Sequence, residues 1–250
     1  MLYMKSLARL GAFAIALAFT SLSQAADKIT LLTENYPPFN MSIDDKNFAR
    51  ESGIDGVSTD IVREMMKRGN IKYSMTLRSP WNRIYEMTQK KDNYGLFSTT
   101  YTEERKPLFK WVGPLVGNDW VVFKKPGSAI KITSLDDLKK YKVGGYKGDA
   151  TAEFLKSKGI DVIETALDKH NAEKLAVGRI DLWASSRFAA PYVAEAAGVE
   201  IPSAIYTFNS VDFYLALNLN TSDSIVSHLQ SALDSMKKDG TFDSMVKNYL

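Results

Sequence analysis

YGLFSTTYTEERKP, Tyr94–Pro107, sets a short apolar run against a cluster of hydroxyls, carboxylates and one arginine. Tyr94 to Ser98 reads as a short buried strand, and Lys106-Pro107 stops the segment. The tip of that strand carries Ser98, Thr99, Thr100, a run of backbone amides and the guanidinium of Arg105. Neutral donors around a bidentate cation are the groups that hold a small carboxylate. In an open α/β sheet, ligands collect at the carboxyl ends of the strands. The segment therefore predicts both a sheet strand and a binding site at its end.

Strands and helices alternate on both sides of it. Upstream, Ile29–Thr33 is a short β run. The helix predicted over Ser58–Arg68 has Ile61, Val62, Met65 and Met66 on one face, Asp60 in its first turn and Gly69 at its end. Ile71–Leu77 alternates like a strand, and Pro80–Lys90 reads as a helix with Pro80 near its start. Downstream, Trp120–Phe123 is apolar and β-branched. Then come a short helix at Ser134–Lys140, a strand at Val143–Tyr146 and a helix at Ala150–Lys158. Val162–Glu164 and Leu182–Ala184 read as strands, with helices over Asp168–Val177 and Arg187–Ala197. Phe213–Leu219 returns to β, and the chain ends in helices up to Gly240 and through Phe242–Tyr249. This alternation predicts an α/β fold. Polar or turn-rich stretches at Lys124–Ser128 and Tyr206–Asp212 bracket an inserted segment, so the chain crosses between two lobes twice. The expected first lobe is 27–123 with 211–250, and the second is 124–210.

The protein has 250 residues, a formal charge of +3 and no cysteine. Disulfides, thiolate chemistry and cysteine metal sites are excluded together. Met1 to Ala26 carries Lys5 and Arg9, then the apolar run Leu10–Phe19, then small residues at Ala25-Ala26. This is the three-part pattern of a secretory signal, and ten apolar residues are too few to cross ~30 Å of hydrocarbon. A signal peptide over 1–26 and a periplasmic product without a lipid anchor are expected. Lysines and arginines are spread rather than massed, so no nucleic-acid partner is expected. The two histidines, His170 and His228, fall on predicted helices, and no Ser-His-Asp order or Gly-rich phosphate loop occurs. Neither a catalytic residue, a metal nor a cofactor is expected.

Five segments in this order carry a resemblance: Glu34–Asn40 (ENYPPFN), Gly56–Met65 (GVSTDIVREM), Thr102–Pro114 (TEERKPLFKWVGP), Gly178–Trp183 (GRIDLW) and Asp239–Tyr249 (DGTFDSMVKNY). The chain resembles the periplasmic solute-binding proteins of family 3, the amino-acid type that serves ABC importers. The resemblance implies two α/β lobes joined by two hinge crossings, closing on a small carboxylate-bearing, amino-acid-like solute. It implies a monomer whose closed form is read transiently by a membrane permease. Domain closure of this kind is a property of periplasmic binding proteins in general.

Carried over residue by residue, the resemblance makes Arg105 the carboxylate clamp, helped by Ser98, Thr99 and Thr100. Tyr36 and Trp81 become the rings that sandwich the ligand's body. Gly148, Asp149, Ala150 and Thr151 become a loop opening a helix of the second lobe. Relatives that bind α-amino acids place an aspartate five residues after the aspartate of Gly-Arg-x-Asp. Here that position is Ser186, which cannot neutralise an ammonium and serves either as a ligand contact or as a helix cap. Either Glu34, Asp119 or Asp149 supplies the missing acid, or the ligand has no α-ammonium; the sequence favours the second. The alternatives in function are a periplasmic dehydratase-like enzyme on the same fold and a sensing subunit for a membrane receptor.

Overall fold

The computed structural model describes residues 28–44 and 46–250; the expected signal sequence lies outside the described residues. The first strand, β1 (Ile29–Thr33), sits inside a sheet because its alternate residues Ile29, Leu31 and Thr33 are fully buried. A small two-stranded sheet, β2 (Met41–Ser42) with β4 (Ile54–Asp55), flanks the edge strand β3 (Phe48–Arg50). Helix α1 (Val57–Arg68) buries Ile61, Val62, Met65 and Met66, the face expected from sequence. Strand β5 (Tyr73–Arg78), helix α2 (Trp81–Lys90) and strand β6 (Tyr94–Thr100) follow, and β1 runs parallel to both β5 and β6. Two further strands, β7 (Lys110–Val112) and β8 (Gly117–Lys124), lead out of this lobe.

The second lobe repeats the alternation. A 3-10 turn at Leu135–Lys140 opens on a capping box in which the Ser134 and Asp137 side chains each take a backbone amide. Then come β9 (Val143–Tyr146), α3 (Ala150–Ser157), β10 (Val162–Thr165), α4 (Lys169–Ala176), β11 (Leu182–Ser186) and α5 (Ala189–Ala196). Strand β12 (Ser203–Leu217) returns to the first lobe, where α6 (Asp223–Lys238) and α7 (Thr241–Lys247) close the chain.

One sheet path runs through both lobes, in the order β10-β9-β11-β8-β12-β6-β1-β5-β3. The long β12 joins the halves: Ser203–Asp212 pairs antiparallel with β8, and Phe213–Leu217 pairs with β6. Two antiparallel strands, β8 and β12, thus carry the chain between two α/β lobes. Strand β12 begins ten residues before the stretch expected from sequence. Its first half pairs with β8 while exposing much of its surface, so the apolar alternation that marks a half-buried strand is missing there.

Each lobe has its own core. Leu31, Met65, Leu77, Phe97, Leu215 and Leu233 pack sheet against helices in the first lobe. In the second, β8 is covered on both faces. Val121 and Phe123 pack with Trp183 and Ala190 on one side, and Val122 packs with Leu138, Val143 and Leu155 on the other. A strand buried on both faces reads as a continuous apolar run, as Trp120–Phe123 does. No helix among the described residues is long and apolar enough to cross a membrane.

Candidate functional site

The end of β6 and the loop after β1 face the second lobe. Ser98 has a φ of 56°, in the left-handed region, where two residues of β6 (Phe97 and Ser98) oppose the single Leu215 of β12. The bulge turns the Ser98 hydroxyl onto the Asn40 side-chain carbonyl, and the Asn40 amide donates to the Glu34 backbone carbonyl at 2.6 Å. The loop is held from behind as well. Val57 and Ser58 at the start of α1 donate to the carbonyls of Pro38 and Phe39 at 3.0 and 2.9 Å. Gly56, with a φ of 116°, permits that approach, since a Cβ there would lie 2.5 Å from the Phe39 carbonyl oxygen. This fastening fixes Glu34 and Tyr36 at the seam.

Arg105 is 4% exposed and bridges the lobes. Its Nη2 donates to the Gly148 carbonyl at 3.1 Å and to Glu153 Oε2 at 2.7 Å, and its guanidinium lies over the Tyr85 ring at 5.1 Å. Tyr146 makes the second bridge. The Trp81 amide at the start of α2 donates to the Tyr146 oxygen at 3.0 Å, and that hydroxyl donates to Glu34 Oε2 at 2.6 Å. The lobes therefore touch directly, with Tyr146 packed against Leu32, Trp81, Ile84 and Leu96.

Two cavities share Glu34 and Tyr36. The smaller, about 10 Å³, is also lined by Trp81, Ser98, Thr100, Arg105 and Asp149. It has room for about one water. The larger, about 400 Å³, opens beside it between Tyr146, Asp168, Tyr192 and Glu195. Burial pushes the Glu34 carboxyl up to about 8; the Tyr146 hydroxyl opposes that rise, and the charges of Asp149 and Asp168 add to it. Burial likewise raises Asp168 to about 6, against the pull of hydrogen bonds from Asn171, Ser185 and Trp183. The Tyr36 hydroxyl is raised by burial and by Asp149 and Asp168.

Six of the sequence-predicted site residues meet at the smaller cavity: Tyr36, Trp81, Ser98, Thr100, Arg105 and Asp149. The other five line neither cavity. Thr99 turns away, because alternate residues of a strand face opposite sides, and its hydroxyl donates to the Leu96 carbonyl. Gly148 presents its carbonyl, not its amide, to Arg105. Ala150 and Thr151 are buried in the first turn of α3, where Asp149 takes the Thr151 amide at 2.9 Å as an N-cap. The helix end expected to receive a ligand group is thus capped by its own aspartate. Ser186 is fully buried, and its hydroxyl accepts from the amides of Phe188 and Ala189 at 3.2 and 3.3 Å. These bonds tie its hydroxyl to the turn that leads from β11 into α5. Asp119, a candidate partner for an ammonium, is taken by Arg187 at 3.1 Å and by Ser210 at 2.7 Å. Arg187 is held at the hinge by that pairing.

Sequence reasoning missed Asp168 and Glu153, and gave Tyr146 no role of its own. Asp168 opens a predicted helix, yet its carboxylate makes no cap bond to α4. It accepts instead from Trp183 Nε1 at 3.0 Å, Ser185 Oγ at 3.0 Å and Asn171 Nδ2 at 2.9 Å. No spacing rule links position 168 to positions 183 and 185; only the pairing of β9, β10 and β11 brings them together.

Residues 29–250 match the family described as bacterial extracellular solute-binding proteins, family 3. The chain belongs to that family. It is similar to the lysine/arginine/ornithine-binding periplasmic protein of Escherichia coli (strain K12), at 26% identity over 91% of this chain and 92% of that protein. It is also similar to the L-cystine-binding protein TcyJ of the same strain, at 24% identity over 91% of this chain and 85% of that protein. Among solved structures, a histidine kinase sensor domain with similarity to periplasmic binding proteins superposes with a TM-score of 0.78. It is 16% identical and covers 89% of this chain and 96% of the domain, a likeness of fold.

Proposed function

We propose that the protein binds a small polar, carboxylate-bearing, amino-acid-like solute in the cleft between its lobes. On this reading it works in the periplasm, as a monomer without a cofactor, and delivers the solute to a membrane ABC importer. On this reading the chain before β8 and from Phe213 onward forms one jaw, and the stretch from β8 to Asp212, whose core holds Val121, Val122 and Phe123, forms the other. The relatives named above are binding proteins for amino acids, which supports the solute class.

The observation that carries the reading is the buried guanidinium of Arg105 at the seam, beside Tyr36, Trp81, Ser98 and Thr100. Its carboxylate partner, Glu153, belongs to the opposite lobe and has a half-exposed side chain. On this reading a ligand carboxylate takes the place of Glu153 on the guanidinium, exchanging one charge-assisted hydrogen bond for another. Closure then stabilises the shut form only by the ligand's differential affinity for it.

Calorimetry with the twenty standard amino acids tests the reading. Arg105→Ala is expected to weaken the best binder by about 1.5–3 kcal/mol, the worth of a hydrogen bond to a charged group. An unchanged dissociation constant would contradict the carboxylate clamp. Catalysis takes second place: a carboxyl raised to about 8 such as Glu34 suits a general acid, but neither His170 nor His228 lines either cavity. Turnover of a cyclic dehydratable acid such as prephenate would reverse that ranking.

A further inference from the structure

Resting on the cleft as a solute site, we propose that Glu34 and Asp168 form an amine subsite that takes a cationic nitrogen of the ligand. Asp168 then supplies, from the loop before α4, the acid that position 186 lacks. The two carboxyls come from opposite lobes, are 7% and 9% exposed, and line the same 400 Å³ cavity. Among the described residues neither has an ion-pair partner, and the hydrogen bonds they accept come from neutral groups: Tyr146 for Glu34, and Asn171, Trp183 and Ser185 for Asp168. Arg105, the buried cation of the seam, is engaged by Glu153. Buried carboxylates without a cation are costly, and one cation placed between them relieves both.

An independent observation points to the same ligand. The indole nitrogen of Trp81 has no hydrogen-bond partner although the residue is 5% exposed, and Trp81 lines the smaller cavity that shares Glu34 and Tyr36 with the larger. A buried donor wants an acceptor. An acceptor near Trp81 and Arg105, with a cation near Glu34 and Asp168, describes a zwitterion. Its body would extend toward Tyr192 and Glu195, into a cavity in the size range of small-molecule sites.

The other ionisable groups around the pair are Tyr36, Arg105, Tyr146, Asp149, Lys169, Tyr192 and Glu195, of which Arg105 is paired with Glu153 and Lys169 is an exposed cation. An ammonium arriving among these carboxyls favours their charged forms, so binding should expel protons. The experiment is calorimetry at pH 7 in phosphate and in Tris, whose ionisation heats differ. The probes are the twenty amino acids, L-ornithine, L-cystine, putrescine and succinate. Expected results are that the strongest binder carries a basic nitrogen, that binding to the wild-type chain releases protons, and that Asp168→Asn weakens it at least tenfold. Glu34→Gln, which keeps an acceptor for Tyr146, should do the same. Should Asp168→Asn not fold, Glu34→Gln and the wild-type proton count decide. The amine subsite is overturned if succinate binds best, if no protons are released, or if a folded Asp168→Asn keeps full affinity while Arg105→Ala loses it. No binding by any probe would overturn the solute-binding reading as well.

Discussion

Arg105 stands on one lobe and donates to Glu153 on the other, so a ligand carboxylate competes with one that belongs to the protein. Because Glu153 is half exposed, the competing bond is screened and of modest strength. Glu153→Gln is expected to raise the affinity for a carboxylate ligand several-fold, equivalent to roughly 1 kcal/mol; titration calorimetry against Arg105→Ala checks it, and a loss of affinity would contradict the competition. At this scale the sequence was informative about Arg105, because a strand tip advertises itself locally, and about Tyr36 and Trp81 through the family resemblance. It was silent about Glu153, whose partner lies 48 residues away across the seam. It was equally silent about Asp168, which looks like any helix-opening aspartate until its carboxylate is seen turned toward Trp183.

Helix α5 illustrates how one side chain can be read at two levels. Phe188, just before it, and Ala189, its first residue, donate their amides to the Ser186 hydroxyl, and the same hydroxyl meets the Asn118 side chain at 2.5 Å on β8. Ser186→Ala is expected to lower stability by about 1 kcal/mol, the usual net worth of a buried hydrogen bond, with little change in ligand affinity. Thermal unfolding together with calorimetry checks both halves, and lost affinity without lost stability would return Ser186 to the ligand site. Elements with strong periodicity were legible: α1 and α6 bury the faces that their spacing dictates. Strands β2, β3, β4 and β7 were not, being two or three residues long and lacking an alternating pattern. The first half of β12 escaped for a different reason, since a hinge strand between lobes has no single core to face.

At the scale of the whole molecule, Glu34 and Asp168 are both buried beside the cavity where the lobes meet. Their ordinary values of 4.5 and 3.8 rise to about 8 and about 6. Raised carboxyls bind more protons in the folded state than in the unfolded one. The stabilising contribution is therefore complete below about pH 4, falls as pH climbs through 6 for Asp168, and is gone above about 8 for Glu34. The ligand-free protein is expected to lose folding stability as pH rises from 5 to 8, by a free-energy change on the order of a few kcal/mol. Chemical denaturation at several pH values is the readout; a pH-independent midpoint would contradict it. An α/β fold was legible from the alternation of strands and helices, whereas β8 packs wholly in the second lobe, upstream of the polar stretch at residue 124, and the Tyr146 and Arg105 bridges depend on how the lobes meet.

The central claim is that the cleft between the lobes holds an amino-acid-like solute against Arg105. Mass spectrometry of the small molecules extracted from the purified native protein tests it most directly, with Arg105→Ala purified in parallel. The expected result is one stoichiometric compound bearing a carboxylate and a basic nitrogen, depleted from the variant. The same compound retained equally by Arg105→Ala, or a bound compound with no carboxylate, would contradict the claim.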